Sequence, residues 1–149
     1  MEIVVKSYSE LTTDELYEIL RCRAEVFVVE QNCVYQDVDG RDARSTHIFA
    51  REEGRILSYL RVIAPEAEGE PVYIGRVVTA AQARRRGLSR QLMMKGIETA
   101  RTYGVPVELE AQLYITDFYR SVGFVECSDE FILDGMPHVR MRLKPEAEV

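Results

Sequence analysis

Nowhere in the 149 residues is there an apolar run long enough to cross a membrane. The first residues also lack the basic and then apolar pattern of a secretory leader. A cytoplasmic protein is therefore expected. Basic residues are the minority, 19 Lys and Arg against 25 Asp and Glu, for a net charge of −6. That balance argues against nucleic acid and anionic membranes as partners. Cysteine is scarce. Cys22, Cys33 and Cys127 are odd in number and lack C-x-x-C spacing, which fits reduced, mostly structural thiols. There are only two histidines, His47 and His138. Internal repeats and low-complexity segments are absent, and no metal site is expected. Neither G-x-x-x-x-G-K-[ST] nor G-x-G-x-x-G occurs, so the P-loop and dinucleotide fingerprints are both excluded.

What is present suits one domain spanning residues 1–149, 46% hydrophobic and 30% charged. Its organising stretch runs from Val72 to Tyr103. Val72 to Val78 is short, apolar and β-branched, which reads as a buried strand. From Leu88 onward a helical period places Leu92, Met93, Gly96, Ile97, Ala100 and Tyr103 on one face. Between strand and helix lies Arg84-Arg85-Arg86-Gly87-Leu88-Ser89, the only basic run in the chain. The free N–H groups of a helix start favour an anion in front of them. Gly87 permits close approach to the backbone, and arginine forks suit phosphate. The physical reading is a pyrophosphate cradle.

The remaining chain supplies strands and helices around this unit. Glu2 to Tyr8 reads as a strand. Thr12 to Glu15 is a capping box. It opens a helix that should bury Leu16, Ile19, Leu20, Arg23 or Ala24, and Phe27, with Val26, Val28 and Val29 weakening its last turn. Glu30 to Ser45 is a long connection, of a kind that is often functional. Its Asp37-x-Asp39-Gly40 opens like a calcium loop. However, the glycine comes too early and the twelfth-position Glu is missing, so a turn on Asp-Gly is the better reading. Two strands, Thr46–Arg51 and Arg55–Ile63, flank the hairpin signal Glu53-Gly54. Val107–Gln112 should run parallel to the Val72 strand, since a whole helix separates them. A short helix carrying Phe118, Tyr119 and Val122 stops at Gly123. Phe124–Leu133 and His138–Leu143 close the chain around Asp134-Gly135, and Pro145 to Val149 reads as a frayed tail.

Arg84-x-x-Gly87-x-Ser89, followed at the right distance by Tyr119-x-x-x-Gly123-Phe124, resembles the signature of the GNAT superfamily of N-acetyltransferases. Phe27 to Cys33, Ile74 to Val77, Ala111-Gln112, Asp117 to Tyr119 and Asp134 to His138 sharpen this to the ElaA-like group. The resemblance implies an α/β GNAT acyltransferase fold. Its seven-stranded mixed sheet would have order 1-2-3-4-5-7-6, splayed between strands 4 and 5 and flanked by helices. Acetyl-coenzyme A would occupy the splay as co-substrate. Arg84 to Ser89 would hold its pyrophosphate, Val77, Val78 and Thr79 its pantetheine arm, and Gln112, where many members carry Asn, would also bind the cofactor. The Val78 N–H would meet the oxyanion, and Tyr119 would protonate the leaving thiolate. The implied activity is transfer of acetyl to a primary amine of a small molecule or peptide, and a homodimer is left open.

The base is the least defined part. Glu30, Glu108 and Glu110 are the carboxylate candidates, and Glu110 is preferred. Glu30, Arg76 and His138 are expected on the acceptor side, with His47 structural. Glu108 and Glu110 share one strand face, and Arg61 and Arg76 sit inside neighbouring strands, so these four are expected to form a cross-strand ion pair. Two other readings compete. One is a non-catalytic acyl-coenzyme A binding or sensing domain, which a Phe at position 119 would have favoured. The other is an acyl-homoserine-lactone-synthase-like activity, for which the chain is short.

Overall fold

The computed structural model describes residues 1–146, so the last three residues of the expected tail lie outside the described residues. One mixed sheet carries the molecule. Its strands are β1 (Glu2–Ser7), β2 (Ser45–Glu52), β3 (Arg55–Ile63), β4 (Val72–Thr79), β5 (Val107–Gln112), β6 (Phe124–Glu126), β7 (Phe131–Leu133) and β8 (Met136–Leu143). The spatial order is β1-β2-β3-β4-β5-β8-β6, with β7 hydrogen-bonded to β8. This is the expected topology with one strand more. Cys127 to Glu130 interrupt what reads in sequence as one strand, so β6 and β7 pair separately with β8. Both expected hairpins form, and Glu53, Gly54, Asp134 and Gly135 all have positive φ, as two-residue primed turns require.

Helix α2 (Leu88–Arg101) buries Leu88, Leu92, Met93, Gly96, Ile97 and Ala100. Tyr103, expected on that face, lies past the helix end and is exposed. Gly96 sits over β3, where a Cβ would come within 3.1 Å of Leu60 Cδ1, so its missing side chain sets how closely the helix approaches the sheet. The short helix α3 (Thr116–Ser121) packs on the same side, with Phe118 and Val122 against the main core.

The opposite face is covered by α1 (Thr13–Arg23), opened by the Thr12/Glu15 capping box. Its buried face is Glu15, Ile19, Cys22 and Arg23, continued by Val26. Leu16 and Leu20, expected inside, are only half-buried. The phase shifts at the helix start because Glu15 turns inward to take Lys6 and Arg51 at 2.9 and 2.6 Å, whereas Ile19 and Arg23 lie inside as expected, Arg23 against aspartates. From Ala24 to Glu30 the helix widens to π geometry, where Val26, Val28 and Val29 crowd an ordinary α turn. Cys22 is sealed in this second core, and burial pushes its thiol up to about 11. Cys33 and Cys127 lie outside both cores.

Candidate active site

Strands β4 and β5 are paired only where they begin, Val72 with Val107 and Tyr73 with Glu108. Beyond those pairs they diverge, and a cleft opens. On its other edge β4 is paired with β3, but the register slips between Tyr59 and Arg61. The extra residue sits at the bulge made by Arg76, whose φ is +52°. The N–H of Ala80 donates to the carbonyl of Leu57 at 2.8 Å. Antiparallel pairs alternate, so Tyr59 and Val78 form a mutually hydrogen-bonded pair, and the peptide groups of Val78 point into the sheet. Thr79, the next residue, turns its peptide groups toward the cleft, and Val77 lies beside it within the bulge. The Thr79 carbonyl accordingly accepts from Arg84 Nε at 3.0 Å, whereas the Val78 carbonyl accepts from the Ser58 hydroxyl at 2.9 Å. The sequence-based choice of the Val78 N–H as oxyanion donor is thus corrected, because that N–H is occupied by β3.

The end of β4 is tied to the start of α2 by hydroxyls. Thr79 Oγ1 lies 2.8 Å from Ser58 Oγ and 2.6 Å from Ser89 Oγ. Gly87 is the N-cap of α2 at φ +74° and offers no side-chain cap, so the first-turn N–H groups have no partner within the helix. A Cβ at Gly87 would meet nothing within 4 Å, so the approach is open. These features fit a pyrophosphate. Of the three arginines, Arg84 reaches across the cleft to Glu30 at 2.7 Å, and Arg86 pairs with Glu52 at 3.3 Å. Arg85 has positive φ, is exposed, and has no carboxylate partner among the described residues.

A cavity of about 840 Å³ follows the cleft. It is lined by Val77, Val78, Thr79, Arg84 and Ser89 on one side and by Glu110, Gln112, Tyr119 and His138 on the other, with Glu30 and Arg76 between. Arg85, Arg86, Gly87 and Leu88 lie outside it, and the Leu88 side chain belongs to the core. Tyr119 is buried, its ring edge-on to Phe118 and Phe124 at 5.3 and 6.2 Å. Burial pushes its phenol pKa well up. Gln112 donates to Gln31 at 3.3 Å. Glu110 is exposed and 3.7 Å from Arg140. His138 stacks on Phe131, and its Nδ1 lies 2.8 Å from the Met136 carbonyl.

The expected ion pair among Arg61, Arg76, Glu108 and Glu110 does not form. Glu108 is taken by Arg142 on β8. The two arginines instead clamp the long connection. Arg61 binds Asp39 and Asp42, Arg76 lies 2.9 Å from Asp37, and Arg23 from α1 joins Asp37 and Asp42 at 2.9 and 2.7 Å. Arg76 also packs over Tyr35 at 5.5 Å. Asp37 and Asp39 are therefore guanidinium partners, and no cluster able to hold a metal occurs among the described residues. Burial pushes Asp42 up, but its bond to Arg23 and the charges of Arg23 and Arg61 outweigh this and hold it below the usual carboxylate range. His47 is fully buried between the Tyr59 hydroxyl at 2.7 Å and the Asp42 carbonyl at 2.9 Å, and is structural as expected. Sequence reasoning missed this strap over the cavity. The signal was there in Asp37-x-Asp39 and Asp42, but acidic spacing alone does not name arginines on three other elements as its partners.

Residues 7–145 match the acetyltransferase (GNAT) domain family. The chain is 41% identical to a UPF0039 protein of Schizosaccharomyces pombe, over 97% of each chain. It is 39% identical to protein ElaA of Escherichia coli over 90% of each chain, and the ElaA crystal structure superposes with a TM-score of 0.90 over 96% of this chain and 99% of that one. An acyl-CoA N-acyltransferase from Pseudomonas aeruginosa, 40% identical, superposes with a TM-score of 0.89 over 97% and 100% of the respective chains.

Proposed function

The chain belongs to the GNAT acetyltransferase family, and on that premise we propose that it transfers an acetyl group from acetyl-coenzyme A to a primary amine of a small molecule or peptide. The observation that carries this is the unpaired edge of β4, which runs into the open Gly87 helix start and faces a buried tyrosine across the cleft. In this reading the first-turn N–H groups of α2, with Arg85, bind pyrophosphate, and the Val77–Thr79 edge pairs with the pantetheine arm. The amine nitrogen attacks the thioester carbonyl carbon. An N–H from Val77 or Thr79 meets the oxyanion. The carbon–sulfur bond then breaks, and the departing thiolate takes the Tyr119 phenolic proton. Burial keeps that phenol in its protonated form.

Incubation with acetyl-coenzyme A and a pool of primary amines, following free thiol and acetylated product, tests the reading. Amine-dependent thiol release with matching product is expected. Tight coenzyme A binding with no product from any amine would overturn the transferase in favour of a binding or sensing domain.

A further inference from the structure

We propose that His138, through Nε2, is the general base that takes the proton from the acceptor amine. The inference rests on the acyltransferase reading above and adds the residue that reading leaves open. Its argument starts from a hydrogen bond. A backbone carbonyl can only accept, so the 2.8 Å contact between His138 Nδ1 and the Met136 carbonyl places the ring proton on Nδ1. In the neutral ring, Nε2 then carries the basic lone pair. Nε2 has no partner among the described residues and is not a sealed, orphaned atom, while the side chain lines the cavity. Stacking on Phe131 fixes the plane of the ring.

Position supports the role. His138 and Gln112 are opposed across β8 and β5 and share a sheet face, followed along that face by Arg140 and Glu110. The alternating residues Leu109, Ala111, Val139 and Met141 point the other way, into the core that also holds Tyr119. The base and the acid therefore approach the cleft from opposite faces of the sheet, one to take a proton from the amine and one to give a proton to the sulfur. The carboxylates are less suited. Glu110 is exposed beside Arg140, and Glu30 is bound by Arg84. Of the ionisable and charged groups lining the same cavity, Arg140 on β8, Glu110 on the paired strand β5 and Asp134 in the β7–β8 turn belong to the elements packed against His138.

The test has two arms. Nitrogen NMR of the wild-type imidazoles reads the tautomer without substrate. A proton on Nδ1 and a bare Nε2 are expected at His138. His47 should show the reverse, since its Nε2 faces a carbonyl. A neutral ring with its proton on His138 Nε2 and Nδ1 bare overturns the proposal. The second arm compares wild type with His138→Asn, whose amide can still donate to the Met136 carbonyl. His138→Gln is the second variant if the first does not fold. Acetyl-coenzyme A and the amine pool are followed from mildly acidic to alkaline pH. Turnover at neutral pH should fall by about 10²–10⁴. Most of it should return as the pH approaches the amine's own pKa, about 10 for an aliphatic amine, where the amine sheds its proton unaided. Coenzyme A affinity and melting temperature should stay unchanged. No deficit, or an equal deficit at every pH, overturns the base alone. A wild type inert to every amine overturns the transferase reading and the base with it.

Discussion

Tyr119 lies edge-on to two phenylalanines at one wall of the cleft, and Arg76 bends the other wall through its positive φ. The helical period already set Tyr119 on a buried helix side, and the structure holds it there between Phe118 and Phe124. Its chemical assignment came only from the spacing to Gly123-Phe124, since an aromatic on a core face is ordinary. Arg76 was legible as a charge in an apolar strand, but not as the bulge that reorients the β4 edge, because its positive φ depends on register with β3. For Tyr119 the expected result is specific. Tyr119→Phe removes one oxygen and keeps both ring contacts. Turnover should drop by about 10²–10⁴, with coenzyme A affinity and melting temperature near wild type. Steady-state kinetics beside a thermal melt measure this. Joint loss of stability and affinity would make Tyr119 a packing residue.

Elements with a strong period were read almost whole. The buried face of α2 matches residue for residue up to its last turn, because apolar period, helix length and core contact agree. Helix α1 meets its expected face at Ile19 and Arg23 but not at Leu16 and Leu20, because an apolar period does not anticipate that Glu15 is buried with a partner far along the chain. Two predictions belong here. At the helix start, Gly87→Val forces a β-branched residue to φ +74° and crowds the open approach, while Arg85→Ala removes a charge-assisted contact worth roughly 1.5–3 kcal/mol. Calorimetry with coenzyme A should show about tenfold or greater weakening in each, and unchanged affinity in both would remove the cradle. In the strap, Asp42→Ala leaves Arg23 and Arg61 under-paired in the interior. It should cost about 3–5 kcal/mol in urea unfolding. Arg21→Ala, which releases two partly exposed pairs on α1 and a bond to the Ile56 carbonyl, should cost less, about 1–2 kcal/mol.

At the scale of the molecule, the sheet is two parts joined by two residue pairs, and the cleft follows from that topology. One part is further braced by the buried strap, which makes the whole fold sensitive to acid in two stages. His47 has a pKa lowered from 6.5, first by burial. Below that value the unfolded chain binds a proton that the native state refuses, so stability falls with pH until the native ring itself titrates. Asp39 and Asp42 come next. Burial pushes both up, but their bonds to Arg61 and Arg23 outweigh it, and both end below the ordinary 3.8. Their contribution is complete above that pH and is lost as protons reach the folded carboxylates. Urea midpoints taken across pH should therefore decline once from near-neutral to mildly acidic conditions and again, more steeply, in strong acid. His47→Gln should abolish the first decline and keep the second. A wild-type midpoint that stays flat through the first range would mean that His47 accepts its proton inside the fold, and that the Tyr59 and Asp42 contacts rearrange to admit it.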